Sequence, residues 1–122
     1  MASTTTILSV SLPVTDLDRA KEFYLDVLGF ELVWEGEAMP GQRMVEVRPP
    51  GSAVGVVLLP KDTQLPIAIR MGTSDADEAF ARVGEAGVRR HNDAVLRWEG
   101  VPPMFAFTDP DGNELVYLQH PA

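Results

Sequence analysis

Apolar and small polar residues alternate along 7–14, with Leu8, Val10, Leu12 and Val14 on one side and Ser9, Ser11 and Pro13 on the other. A period of two predicts a strand with one buried face. The pattern then changes to helical spacing. Leu17, Ala20, Phe23, Tyr24, Val27 and Leu28 recur every three or four residues, which predicts a helix with all six in one buried stripe. Thr15 or Asp16 caps this helix, Asp18 lies in its first turn where the helix dipole favours anions, and Gly29 ends it. Strands follow at 30–35, 43–48 and 52–59, the last two forming a hairpin across Pro49-Pro50-Gly51.

The same succession then returns. Thr15-Asp16-Leu17-Asp18-Arg19-Ala20 has a counterpart in Ser74-Asp75-Ala76-Asp77-Glu78-Ala79, 59 positions later. Arg48-Pro49-Pro50-Gly51-Ser52 has one in Asp109-Pro110-Asp111-Gly112-Asn113, 61 positions later. Two anchors in the same order at nearly equal offsets predict a tandem duplication. Module two reads as a strand at 66–71, a helix near 75–86, a strand at 88–91, and a hairpin of 103–108 with 113–119. The expected organisation is a flexible tail, 1–6, and a single domain, 7–122, made of module one (7–60) and module two (66–121). Each module runs βαβββ.

A single helix cannot cover both faces of its sheet, so each module leaves a second face. Val54, Val56, Leu58, Ile67, Ile69, Met71, Leu115 and Tyr117 are expected to face the helices. The other face then receives Ser9, Ser11, Gly55, Val57, Ala68, Arg70, Val116 and Leu118, and tight hairpins would add Met44, Glu46, Phe105 and Phe107. Small, apolar and a few charged side chains on a curved surface are the composition of a small-molecule cup.

Composition narrows the partners. The 122 residues carry ten Lys and Arg against eighteen Asp and Glu, a formal charge of -8. Such a chain lacks the cations that a nucleic-acid partner requires. The absence of Cys removes disulfides, thiolate nucleophiles and zinc ribbons. No apolar run has bilayer-spanning length, and the polar start carries no basic residue of a signal peptide. The expectation is a cytoplasmic protein with no membrane partner.

Pro13-Val14-Thr15-Asp16-Leu17-Asp18-Arg19-Ala20-Lys21-Glu22-Phe23-Tyr24, followed by Leu28-Gly29-Phe30, resembles the opening signature of the vicinal oxygen chelate superfamily. That group includes glyoxalases, bleomycin-resistance proteins and extradiol dioxygenases. Phe107-Thr108-Asp109-Pro110-Asp111-Gly112-Asn113 is similar to its closing signature. The resemblance spans about 7–119. It implies an α+β fold of paired βαβββ modules, with curved mixed sheets forming a cup, usually in a homodimer.

Catalytic members of the superfamily hold a divalent ion through His and Glu or Gln side chains. Carried over position by position, the resemblance puts Ser9, Gly55, Ala68 and Val116 where those ligands stand. None of the four is a metal ligand of that kind, and His91 and His120 read as surface residues. The expectation is therefore no metal and no cofactor.

Two occupations remain. One is sequestration of a cationic or aromatic small molecule, as in antibiotic-resistance members, with Ser9, Ser11, Trp34, Glu46, Arg70, Trp98, Phe105 and Phe107 lining the ligand. The other is a glyoxalase-like lyase, isomerase or dioxygenase-type enzyme. It would use a relocated metal site or metal-free acid–base chemistry, with Glu46 and Arg70 as catalytic candidates.

Overall fold

The computed structural model describes residues 5–120. Met1 to Thr4 of the expected tail, and Pro121 and Ala122 of the expected domain, lie outside that range, whereas Thr5 and Thr6 begin the first strand. The elements are β1 (Thr5–Val14), α1 (Leu17–Glu22), β2 (Glu31–Met39), β3 (Gln42–Arg48) and β4 (Gly55–Pro60). They are followed by β5 (Ile69–Thr73), α2 (Ala76–Glu85), β6 (Leu96–Trp98), β7 (Val101–Thr108) and β8 (Glu114–Gln119). The order is βαβββ twice, an α+β fold. The chain divides into two compact units. One is Leu8–Ile67, and the other runs from Ala68 onward together with the start of β1.

In the 8–67 unit the strand order is β2-β3-β4-β1. β1 runs parallel to β4, and the remaining pairs are antiparallel. Val45 and Val47 stand level with Leu58 and Val56, and this face meets Leu17 of α1 in an aliphatic core. Asp16 caps α1, its Oδ1 accepting the Arg19 backbone N–H at 3.1 Å. Lys21 bonds Glu35 at 2.7 Å, and Arg43 reaches both Asp18 (2.7 Å) and Glu35 (2.8 Å), tying the helix to β2 and β3.

The helix departs from its expected path after Glu22. Phe23–Val27 forms a π-helical turn, and the Leu28 N–H bonds the carbonyl five residues back, at Phe23. A wider turn slips the phase of the helix. Leu25 and Tyr24 pack on the core, while Phe23, Val27 and Leu28 are 48%, 69% and 47% exposed. The expected stripe therefore holds for Leu17, Ala20 and Tyr24 and fails for the other three. Gly29 then closes the segment with φ of +73°, a conformation other residues rarely adopt.

In the second unit the order is β5-β8-β7-β6, with β5 parallel to β8. Its core is aromatic. Phe105, Phe107 and Tyr117 pack with Ala79 and Val83 of α2, and Phe80 meets Phe105 edge-on at 5.1 Å. Asp75 caps α2 through the Glu78 N–H at 3.1 Å, matching Asp16. The Tyr117 hydroxyl shares a 3.2 Å hydrogen bond with Thr5.

The strand expected at 88–91 shrinks to a single bridge between Arg90 and Phe107. Arg90 turns toward α2, stacking over Phe80 at 3.9 Å and donating to its carbonyl at 3.0 Å. Gly84 makes room for it, since a Cβ there would lie 2.7 Å from the guanidinium carbon. The next ladder position goes to a side chain, the Asn92 Oδ1 accepting the Ala106 N–H at 2.9 Å. Pairing resumes only at β6.

Candidate functional site

The two hairpins decide which side chains face away from the helices. In module one the last matched pair is Val47 with Val56, and eight residues lie between them. In module two Thr108 matches Glu114 with only five between. An odd difference in loop length reverses the face on which a strand's residues appear. Phe105 therefore stands opposite Tyr117 and Phe107 opposite Leu115, all on the helix side. Phe105 and Phe107 are core, 1% and 7% exposed, and do not join the ligand face where the sequence pattern placed them.

The shorter loop is held by its acid. Asp109 accepts the N–H groups of Asp111 and Asn113 on one oxygen and the Asn113 side-chain amide on the other, each at 2.9 Å. These donors, the Asn113 side chain foremost, keep the Asp109 carboxyl below its ordinary value of 3.8.

In the 8–67 unit the opposite face is built from one row of register partners. Ser11 on β1 is level with Val57 on β4, Val57 with Glu46 on β3, and Glu46 with Trp34 on β2. Four strands at the usual spacing make this row ~14 Å wide. Val57 is fully buried, Ser11 nearly so, and Trp34 is 44% exposed. Ser9, also buried, lies level with Gly55 in the adjacent row.

Two glycines shape this surface. A Cβ on Gly55 would meet Glu46 Oε2 at 2.5 Å, so the carboxylate lies over the bare backbone beside Ser9. A Cβ on Gly36 would meet the Trp34 ring at 3.0 Å, so the indole lies over that second gap. Gly36 and Gly55 stand on opposite sides of the row along the strands. Carboxylate and indole therefore lean apart, leaving charge and aromatic surface offset on one face. Trp34, Glu46 and Gly55 were named from the sequence, whereas Gly36 was not.

In the second unit Arg70 stands level with Val116, and Ala68 precedes the Ile69–Leu115 pair on the same face as Arg70. Trp98 is 56% exposed at the tight turn joining β6 to β7. His91, neighbouring the inward Arg90, turns to the open face and meets Glu114, Nε2 to Oε2 at 2.9 Å. This pair was not anticipated. Glu114 lies one position before Leu115, level with Ala68, because the Pro-Gly turns are 61 residues apart whereas the capping aspartates are 59 apart.

A divalent ion does not fit the positions that the family resemblance singles out. Ser9 offers only a hydroxyl, and Gly55, Ala68 and Val116 offer no side-chain donor. Among the described residues no three His, Cys, Asp or Glu side chains gather as a metal site. Among them, too, no helix is long and apolar enough to cross a membrane.

The family model for the Glyoxalase/Bleomycin resistance protein/Dioxygenase superfamily matches residues 6–117. Methylmalonyl-CoA epimerase from Mycobacterium tuberculosis is 28% identical, with 95% of this chain and 87% of that one covered at a TM-score of 0.76. Hypothetical protein BH1468 from Bacillus halodurans C-125 is 18% identical, with 98% and 96% covered at 0.79. TnmS3, an antibiotic binding protein from Streptomyces sp. CB03234, is 29% identical over 96% of each chain, at 0.43. No functionally curated protein matches the chain significantly. With nearly its whole length matched by the family model and both modules in βαβββ order, the chain belongs to the Glyoxalase/Bleomycin resistance protein/Dioxygenase superfamily.

Proposed function

We propose that the protein binds a small cationic compound carrying a planar aromatic ring, without a metal ion, and sequesters it rather than converting it. The Ser11–Val57–Glu46–Trp34 row carries this reading. An indole face attracts a planar ring and a carboxylate attracts a cation, and Val57 lies buried in the same row. Because Glu46 and Trp34 lean over glycines on opposite sides of the row, the matching ligand holds its cation a few atoms away from its ring. Ser9 supplies a hydroxyl beside the carboxylate. In the other unit, Arg70 and Trp98 are proposed as ligand contacts on that unit's own face. A homodimer in the cytoplasm is part of the same proposal.

The test is thermal. 2-(1-Naphthyl)ethylamine, an ammonium two carbons from a planar ring, is expected to raise the melting temperature by about 5 °C well above its Kd. Uncharged 1-ethylnaphthalene is expected to raise it less. Equal shifts for the two compounds, or none with either, overturn the reading. So does stoichiometric binding of Ni, Mn, Fe or Zn with a rise in stability. Sedimentation equilibrium reports the dimer.

The His91–Glu114 pair favours a second reading, metal-free proton transfer on the open face of the second unit. The 28% identity to an epimerase is consistent with it. Turnover of an acyl-thioester substrate that is lost in Glu114→Gln would favour this reading over sequestration.

A further inference from the structure

The 8–67 unit holds a second concavity, on the helix side of its sheet and separate from the row just described. It lies where β1 and β4 end beneath the start of α1, a shallow depression of ≈ 400 Å³ that is open to solvent on one side. Small-molecule clefts begin at about 300 Å³. Phe23 and Tyr24 form one wall, their rings edge to face at 5.5 Å. Pro13, Val14 and Ala20 add apolar surface, and Arg19 and Lys61 stand at the rim.

Each part has a structural cause. The π-helical turn starts at Phe23 and leaves this ring half exposed instead of in the core. Lys61 is fixed at the end of β4 by its backbone N–H, which donates to the Val14 carbonyl at 3.0 Å. Asp16 also lines the cleft, but its carboxylate already accepts the Arg19 N–H as helix cap.

Some of the described basic side chains are tied to acids and others, Arg48, Arg89 and Arg90 among them, are not. Lys21, Arg43, Arg82 and Arg97 all pair with carboxylates. Among the described residues, neither the Arg19 nor the Lys61 side chain takes part in an ion pair, although the chain carries eight more acids than bases. Two uncommitted cations thus flank an exposed aromatic wall in one cleft. We propose that this cleft is a second binding site, specific for a small organic carboxylate with a planar apolar body. Its ring would lie against Phe23 and Tyr24, and its carboxylate would reach the two cations.

The probe is 1-naphthylacetate, followed by amide chemical shifts during titration of the full chain. Saturable shifts are expected around Thr15, Arg19 and Lys61, and not around Trp34 or Glu46. Arg19→Gln or Lys61→Gln alone is expected to weaken binding about threefold, and the pair together about tenfold, the scale of exposed charge pairs. Phe23→Ala is expected to weaken it at least as much as one charge. Both rim residues are exposed, so the variants should keep the wild-type melting temperature. Equal affinity in the double variant, shifts confined to the Trp34 face, or no saturation by 10 mM overturns the proposal. Glu46→Gln is expected to leave naphthylacetate binding unchanged while impairing the cationic ligand, which separates failure of this site from failure of the other.

Discussion

Module one packs its helix on Val45, Val47 and Leu58, whereas module two packs its helix on Phe105, Phe107 and Tyr117. The order of elements and the capping aspartates are shared, yet the strands of the two modules present different side chains to either side. A three-residue difference in hairpin length moves the aromatics of β7 into the core and leaves Glu46 of β3 on the open face. A duplicated frame thus conserves the ladder while the turns redistribute chemistry. The helices differ in the same way. α2 is regular to its end, and α1 passes into a π turn that exposes Phe23 and shapes a cleft.

The largest expected effect probes the two cores. Phe105→Ala removes a ring that is only 1% exposed and should cost about 3–5 kcal/mol in urea unfolding. Leu58→Ala, fully buried in the aliphatic core, should cost about 2–5 kcal/mol. A loss under 1 kcal/mol for Phe105 would break the aromatic-core assignment.

Next come the caps that the modules share. Asp16→Ala and Asp75→Ala should each cost about 1 kcal/mol, since each frees one helix-terminal N–H. Hydrogen exchange should show the opening of α1 alone for the first and α2 alone for the second.

Acid pH gives the smallest effect and the finest distinction. Hydrogen bonds and charge from Arg43 hold Asp18 below its ordinary 3.8, and Lys21 followed by Arg43 holds Glu35 below 4.5. A lowered folded value adds stability that is present above the ordinary value and lost as pH falls through the folded one. Both units should therefore weaken below about pH 4.5, module one through Asp18 and Glu35 and module two through Asp109. Salt at 0.5 M should raise the Asp18 and Glu35 values in a carboxyl NMR titration. It should leave Asp109 in place, because turn amides rather than cations hold that group. Arg43→Gln should flatten the acid dependence contributed by module one.

Much of the frame was legible in the sequence because its signals are local. Asp16 and Asp75 announce caps, and Gly29 and Gly112 announce stops and turns. The alternation at 7–14 separates Ser9 and Ser11 from the aliphatic side, but it is the two serines that are buried while Leu12 is 40% exposed. What was not legible depends on counting across a loop or on tertiary contacts. Phe105 and Phe107 alternate correctly along β7, but the face they take is set by five residues between strands. Phe23, Val27 and Leu28 fit a helical stripe that one wide turn breaks. The bridge at Arg90 depends on a guanidinium finding Phe80 and on a gap at Gly84. Of the candidate site, Trp34 and Glu46 were legible as types, whereas their offset over Gly36 and Gly55 emerged only from the register.

Calorimetric titration with 2-(1-naphthyl)ethylamine tests the central claim most directly, using the wild type beside Glu46→Gln and Trp34→Leu. The account predicts one saturable site in the wild type, with each substitution weakening it about tenfold and with unfolding unchanged. Wild-type affinity in both variants would contradict it.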